Sequence, residues 1–417
     1  QEELAPALAV LLERHHQLGL DLLGHLQLPL VLQPHADRIR CRPFSDYPTY
    51  LKHLSEADIG LVVLEEGLFT DAKSAIRWME FSYLGLAAVL SPTRTYRELL
   101  QDGEHALFAR GTESWIKRIE SLIHAPQERR ALARRAQVHA TREFTPGRAE
   151  GFWRPWLEGG VPLSASAAAS GPRLLLSSPR RRLLVANVFF APQSIGGATR
   201  VVQDQVAALL EHAADRYAIT VLCTDHDPWQ RGDGDGVPEP EAEPQPLAVD
   251  CHDWHGARVV RLAMPPRSWR IHHDAAVEAF CHWWLPQEGF ELIHAHCMQV
   301  LSAAPLLVAR QLEIPYAITL HDGWWLSPRQ FLTTASGQPV NLADPLSHYD
   351  IPDREPPELL EADRQRRRDL EAVLAGASAR LAVSAPFAEL HRQAGIAAVE
   401  VMENRWQPMA AARRRPR

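Results

Sequence analysis

Paired cysteines are missing from this sequence. Its five cysteines, Cys41, Cys223, Cys251, Cys281 and Cys297, include no C-x-x-C pair, which removes zinc-ribbon and thioredoxin-type motifs. So few scattered thiols fit a reducing compartment. Long apolar runs are missing too: no stretch reaches the ~18 residues that a membrane-spanning helix needs. A positive balance is absent, the formal net charge being −7, so nothing favours general affinity for nucleic acid. Arginines gather at Arg180–Arg182 and Arg413–Arg417. Both runs read as solvated tails, with weak attraction to a membrane surface as the alternative. The patterns G-x-G-x-x-G, G-x-x-x-x-G-K-[ST] and G-x-S-x-G do not occur, which removes the dinucleotide fingerprint, the P-loop and the nucleophile elbow. The chain begins at Gln1 with neither Met nor a signal-like segment, which points to a fragment of a longer protein.

What is present is length and rhythm. With 417 residues, 46% hydrophobic and 23% charged, the chain has the material of two or three soluble domains. Helices are expected over Glu2–Gln17, Tyr47–Ala57, Ser74–Leu84, Thr95–Gln101, Glu113–His124 and Gln127–Thr141, and strands over Leu26–Leu32, Arg38–Pro43, Ile59–Leu64, Ala87–Leu90 and Leu107–Ala109. The second half repeats the rhythm, with strands over Ile219–Cys223, Arg258–Leu262, Leu292–His296, Tyr316–His321, Ala379–Ser384 and Val399–Met402 and helices between them. This alternation predicts an α/β chain of two Rossmann-like, doubly wound parallel sheets. Gly159–Pro179 is rich in Gly, Ser, Ala and Pro and reads as a linker. The expected division is therefore 1–157, a linker over 158–181, 182–408, and a basic tail over 409–417. Trp229–Asp250 is acidic and rich in Gly and Pro, the composition of a mobile surface loop.

The second domain is organised around Leu183 to Leu210. An apolar strand, Leu183–Phe190, runs into Gly196-Gly197, and Val201, Val202, Val206, Leu209 and Leu210 follow at helical spacing. A strand, a glycine turn and a helix start present unpaired N–H groups and a positive dipole end to an anion such as a phosphate. A plain βα turn is the other reading.

Three further constellations carry possible chemistry. In Asp71–Glu80, Lys73 and Ser74 sit at a helix start, where they could hold a diphosphate, and Glu80 two turns on could accept from ribose hydroxyls. Alternatively Ser74 caps the helix and Glu80 is solvated. In Thr319–Trp325, His321 and Asp322 leave the end of an apolar strand, where a histidine can donate to a sugar hydroxyl or stabilise developing charge. Trp324 could stack on a sugar. Against this stand a structural histidine and a core tryptophan. His294 and His296 alternate on one strand and so share a face, on which they could meet one ligand or metal, though no third ligand is identifiable. Asp233-Gly-Asp235 looks like a D-x-D motif, but it lies in the acidic loop without a preceding strand and is discounted.

These motifs resemble those of group 1, family 4-like glycosyltransferases of the two-lobed GT-B fold. Residues 1–157 resemble the donor-binding C-terminal lobe, through Ala57–Leu64, Ala72-Lys-Ser74, Met79-Glu-Phe81, Leu84-Gly85, Val89-Leu-Ser91 and Tyr96–Gly103. The family pattern has two glutamates separated by seven residues. Glu80 matches the second, and Ala72 occupies the first. Residues 182–408 resemble the acceptor-side N-terminal lobe, through Ser194–Val202, Ile293-His-Ala-His296, Ile314-Pro-Tyr316, Thr319–Trp325 and Leu381–Ser384. The lobes stand in the reverse of the usual order, and the first lacks its initial strand. The resemblance thus implies a piece of a tandem enzyme, the end of one catalytic unit followed by the start of the next; a circularly permuted single enzyme is the alternative.

By this resemblance the protein is a retaining glycosyltransferase of bacterial type. It would transfer a sugar from a nucleotide-sugar donor to a growing cell-surface polysaccharide or lipopolysaccharide glycan, on a free or lipid-linked acceptor. Lys73, Ser74 and Glu80 would bind the donor, Gly196 and Gly197 its phosphates, and His321 and Asp322 would act at the transferring sugar, with His296 and Trp324 as substrate contacts. No cofactor and no metal are implied. The expected place is the cytoplasm, with peripheral association at the inner face of the membrane. The isolated chain would lack the missing lobes of its parent and so be inactive. The rivals are a non-catalytic nucleotide- or sugar-binding module, and a GT-B epimerase or phosphorylase.

Overall fold

The computed structural model describes residues 3–24, 28–43, 45–65, 67–144, 180–193, 195–226, 246–265 and 268–404. They fall into two compact units, one within Gln1–Arg148 together with Asn404, and one within Ala149–Glu403. The expected linker up to 179, Ser194, the acidic loop over 229–245 with Asp233 and Asp235, and the basic tail over 409–417 lie outside the described residues.

The first unit is built on strands β1 (Leu20–Leu23), β2 (Ile39–Arg42), β3 (Ile59–Val62), β4 (Ala87–Leu90) and β5 (Leu107–Phe108). β1 and β2 pair parallel; β3, β4 and β5 form a second parallel sheet in that order. Its helices are α1 (Leu4–Arg14), α2 (Tyr47–Ser55), α3 (Leu68–Ala72), α4 (Ile76–Leu84), α5 (Arg94–Leu99), α6 (Thr112–His124) and α7 (Pro126–Glu143). Successive side chains of a strand point to opposite faces, and β4 serves two cores accordingly. Ala88 and Leu90 pack with Leu51 of α2, Trp78 and Phe81 of α4, and Ala136 of α7. Ala87 and Val89 pack with Leu8 and Leu11 of α1 and with Trp115 and Ile119 of α6. Helices therefore cover both faces, the doubly wound arrangement expected.

The second unit holds one eight-stranded sheet in the order β13-β12-β11-β10-β6-β7-β9-β8. Its strands are β6 (Arg181–Ala186), β7 (Tyr217–Thr224), β8 (Val249–Trp254), β9 (Ala257–Leu262), β10 (Leu292–Ala295), β11 (Tyr316–Leu320), β12 (Ala379–Ala382) and β13 (Val399–Val401). All neighbours pair parallel except β8 with β9. The helices are α8 (Gly196–Ala213), α9 (Ala275–Glu288), α10 (Ala304–Gln311), α11 (Pro357–Gly376) and α12 (Ala385–Gln393). From β6 the chain adds β7 and β9 on one side, then returns to add β10 to β13 on the other. The reversal lies between β6 and β10.

An irregular stretch between β11 and α11 is held by buried arginines of α11. Arg366 donates to the carbonyls of Arg270 (3.0 Å) and Trp324 (2.6 Å), and Arg367 to those of Leu326 and Ala394 (2.9 Å each). Asp363 of the same helix is buried against Arg270 (2.6 Å), His348 (3.0 Å) and Tyr349 (2.7 Å).

Several expected elements differ. Within the expected strand Leu26–Leu32, the described residues 28–32 form no strand: a 3-10 segment runs from Leu30 to Arg38. Pro29 and Pro34 lack the N–H that a strand ladder needs, and Leu30 and Val31 are exposed. β1 and α3 went unseen because both are short. The expected loop Trp229–Asp250 overlaps only the first two residues of β8, a largely exposed edge strand, on which burial imposes no apolar alternation. Arg181 and Arg182 are not a solvated tail but open β6, where Arg181 pairs with Glu291 at 3.2 Å and Arg182 donates to the Glu288 carbonyl at 2.5 Å.

Candidate functional sites

In open α/β sheets ligands gather beyond the carboxyl ends of the strands. In the first unit a cleft of about 330 Å³ lies there, lined by Val63, Leu64 and Glu65 after β3, Ser91, Pro92 and Thr93 after β4, and Ala109 and Arg110 after β5, with Glu3 and Asp71. Ser91 Oγ accepts from the Leu64 N–H at 3.0 Å and ties two of these loops together. Asp71 Oδ1 accepts from the Arg94 N–H at 2.8 Å, and Glu3 Oε2 from the Gly111 N–H at 2.8 Å. Three carboxylates face one guanidinium, a lining better suited to hydroxyl groups, which carboxylates can accept from, than to a bare phosphate. Ser91 entered the sequence reading only within the motif Val89-Leu-Ser91, and Glu65 and Arg110 not at all. Their signal was position alone, one to three residues past an apolar strand.

Lys73, Ser74 and Glu80 do not line that cleft. Lys73 and Ser74 lie between α3 and α4 rather than inside a helix, because Ala75 is the residue that precedes α4. The capping role considered for Ser74 is thus not realised. Lys73 is exposed; its ammonium lies 5.3 Å from the Phe69 ring centre, and desolvation, then the neighbouring Arg77 charge, lowers its pKa. Glu80 is buried, not solvated. Its Oε2 accepts from Tyr50 at 3.1 Å and from Arg77 at 2.9 Å, and Arg77 also donates to the Tyr50 hydroxyl. Oε1 takes part in neither bond. Burial, then the Glu80 charge, raises the Tyr50 pKa, while Glu80 and Tyr50 outweigh burial to raise that of Arg77. Arg77 was missed from sequence, although i,i+3 spacing to Glu80 is a recognised helical pairing.

In the second unit the reversal of strand order puts the loops after β6 and β10 on either side of a crevice. α8 starts there. Gly196 and Gly197 are exposed at its first turn, and Gly196 has φ +79°, which a side chain would strain. The first N–H groups of any helix lack intrahelical partners, which is the feature an anion-binding reading of this turn draws on.

His296 follows β10, and His321 follows the adjacent β11. His296 Nδ1 lies 3.0 Å from His321 Nε2. His294, one residue pair earlier, bonds Thr319 Oγ1 at 2.8 Å and the Gln205 amide at 3.2 Å. With both ring nitrogens engaged, His294 is not set up to share a metal with His296. Among the described residues the one His/Cys/Asp/Glu group with metal-like spacing is His15, Glu120 and His124, in the first unit. Burial lowers the pKa of His294 to about 3 and of His321 to about 4, and takes His296 well below its usual value. Burial thus favours the neutral imidazole in all three.

Asp322 has both oxygens in use: Oδ1 accepts from the Trp324 N–H at 2.9 Å and Oδ2 from Gln299 at 2.6 Å. Burial raises its pKa to about 6 against these bonds. It caps the 3-10 turn Gly323–Trp325. Trp324 as a sugar platform is corrected. It is buried, its Nε1 donates to the Trp269 carbonyl at 2.6 Å, and the Arg366 guanidinium lies 4.9 Å from its ring centre. A ring packed this way offers no face to a ligand. The turn itself is tight. A Cβ on Gly323 would lie 2.5 Å from Leu332 Cδ2 and 2.8 Å from the Gln330 carbonyl oxygen. Gly323→Ala is expected to lower stability by ~1–3 kcal/mol, read as a fall in Tm; an unchanged Tm would show that the turn yields freely.

A family model described as "Glycosyl transferase-like" matches residues 7–149, and one described as "Glycosyl transferase 4-like domain" matches residues 196–405. No curated protein matches. Among solved structures, the glycosyltransferase SnogD from Streptomyces nogalater is similar over 84% of this chain and 75% of its own, at 15% identity and a TM-score of 0.17. With the second of these family models spanning half of its residues, the chain belongs to the glycosyltransferase 4-like family.

Proposed function

We propose that this chain serves a retaining transfer of sugar from a nucleotide-sugar donor to a growing cell-surface glycan. The observation that carries this is the reversal of strand order between β6 and β10, with the exposed glycine start of α8 following β6 at the same sheet end at which His296 and His321 follow β10 and β11. An open helix start attracts the diphosphate. A neutral histidine supplies a hydrogen bond without competing for that charge. Charge building on the leaving diphosphate is stabilised by these fixed dipoles, the usual largest source of rate in such chemistry. In the tandem arrangement each unit belongs to its own catalytic unit. In the first, Glu80 and the carboxylates of the cleft serve hydroxyl groups, and Lys73 with Ser74 serves phosphate.

Gly197→Asp separates this reading from a structural turn. Gly197 does not have a positive φ, so the substitution does not force the backbone. A carboxylate at a helix start stabilises the helix by about 0.3–1 kcal/mol. The same charge opposes a diphosphate, so the affinity of the second unit for nucleoside diphosphate sugars is expected to fall ~10-fold at low salt, less at high salt. Calorimetric titration with a panel of such donors measures the loss of affinity, and thermal melts measure the gain in stability. Unchanged affinity in the variant, or no binding of any donor by the wild type, would remove the phosphate role. A second reading, a module that binds donor without transfer, is favoured by Ala72, a buried methyl where the family pattern has a carboxylate. Donor binding without product, with any acceptor, supports it.

A further inference from the structure

Among the described residues, one ring nitrogen of His296 has a partner and the other has none. Nδ1 faces His321 Nε2 at 3.0 Å, while Nε2 is enclosed and meets neither donor nor acceptor among the described residues. Next to it His294 has a defined state. A side-chain amide nitrogen only donates, so facing Gln205 Nε2 the His294 Nδ1 accepts, and its proton sits on Nε2 toward Thr319. The His294 and His296 ring centres lie 4.1 Å apart, which holds the second ring against the first.

We propose that His296 is a positioning residue that locks His321 in the tautomer carrying its proton on Nδ1, so that His321 meets its substrate as a neutral hydrogen-bond donor. The substrate half rests on the glycosyl-transfer reading; the tautomer half rests on geometry. Between two neutral imidazoles one proton occupies the Nδ1···Nε2 bond. If His321 supplied it, His296 would carry its own proton on the enclosed Nε2, leaving a buried N–H without an acceptor. Buried donors of that kind are rare in folded proteins because their lost hydration is not replaced. If His296 supplies it, Nε2 keeps only a lone pair, and the remaining proton of His321 stands on Nδ1. No described residue takes a hydrogen bond from that atom. A donor there can approach a sugar or phosphate oxygen. It cannot act as a base, and no proton changes hands. His296 itself then acts through His321 and does not touch the sugar.

The test uses the whole chain labelled with ¹⁵N-histidine. Long-range ¹H–¹⁵N spectra at neutral pH report which ring nitrogen of each histidine carries the proton, and His321→Gln assigns the relevant signals. The wild type is expected to show His321 protonated on Nδ1. His296→Asn, whose amide can replace the Nδ1 donor, keeps that state; His296→Leu loses it, with the His294 signals unmoved as evidence of folding. A His321 protonated on Nε2 in the wild type overturns the proposal, and so does a His321 state unmoved in His296→Leu. Where a donor turns over, kcat should drop ~10-fold in His296→Leu with KM little changed, and His296→Asn should restore most of it. If no nucleotide sugar binds or reacts, the substrate half fails with the glycosyl-transfer reading, while the spectra still decide the tautomer half.

Discussion

Asp363→Ala is expected to destabilise the second unit by about 3–5 kcal/mol, because removing one partner of a buried ion pair strands the other charge. Arg270 and Asp363 side chains are 9% and 4% exposed and 2.6 Å apart. The same carboxylate oxygen also accepts from Tyr349 and His348. The variant leaves a guanidinium and two further polar groups without it. It also weakens the case for charge on Arg366, whose pKa burial already lowers to about 9 and which the Asp363 charge supports. Asp363→Asn keeps the shape and part of the bonding and should cost less. Burial alone would raise the Asp363 pKa, but the His348 and Tyr349 bonds and the Arg270 charge outweigh it and hold the group at about 2. The folded value is therefore below the ordinary 3.8. The stabilisation is complete above about pH 4 and is lost as pH falls toward 2, amounting to roughly 2 kcal/mol. Hydrogen exchange across α11 and the stretch before it, at neutral pH and near pH 3, reads this locally, which matters in a two-unit chain where a single melting curve is ambiguous. A loss under 1 kcal/mol in Asp363→Ala would mean the cluster is not what holds that stretch.

Trp78→Ala should cost the first unit a similar ~3–5 kcal/mol. Trp78 is fully enclosed in α4. Its Nε1 donates to the His105 carbonyl at 2.9 Å, and its ring centre is 5.8 Å from both His139 and Phe144. One side chain thus ties α4 to α7 and to the turn before β5. Truncation leaves a ring-sized cavity and an unanswered carbonyl. α4 also carries Arg77 and Glu80, so the Tyr50–Arg77–Glu80 cluster should loosen with it. Trp78→Phe, which keeps most of the volume, should lose roughly 1–2 kcal/mol. Denaturant titration followed by exchange in α4 and α7 measures both. Equal losses in the two variants would assign the effect to the hydrogen bond rather than to packing.

Much of the architecture was legible because buried parallel strands and amphipathic helices leave strong periodic marks. Leu183–Leu210 and Ala87–Leu90 could hardly be anything else. Short or exposed elements such as β1, α3 and β8 leave no such mark, and Pro29 interrupts a leucine-rich run that otherwise has the composition of a strand. The site was legible at the level of position. Gly196, Gly197 and His321 were placed at strand exits from sequence, and they are there.

Sequence by itself determined the α/β class, the two strand–helix units and the strand ends at which polar groups collect, since those follow from local periodicity and turn chemistry. Only the tertiary structure decided which polar side chains point at solvent and which at each other. Trp324 and Asp322 were drawn inward by Arg366 and Gln299, residues 42 and 23 positions away, and Glu80 was claimed by Tyr50, 30 positions back. Such pairings arise when distant segments are packed side by side, and a buried polar group then takes whatever partner the packing supplies. No local pattern encodes that choice.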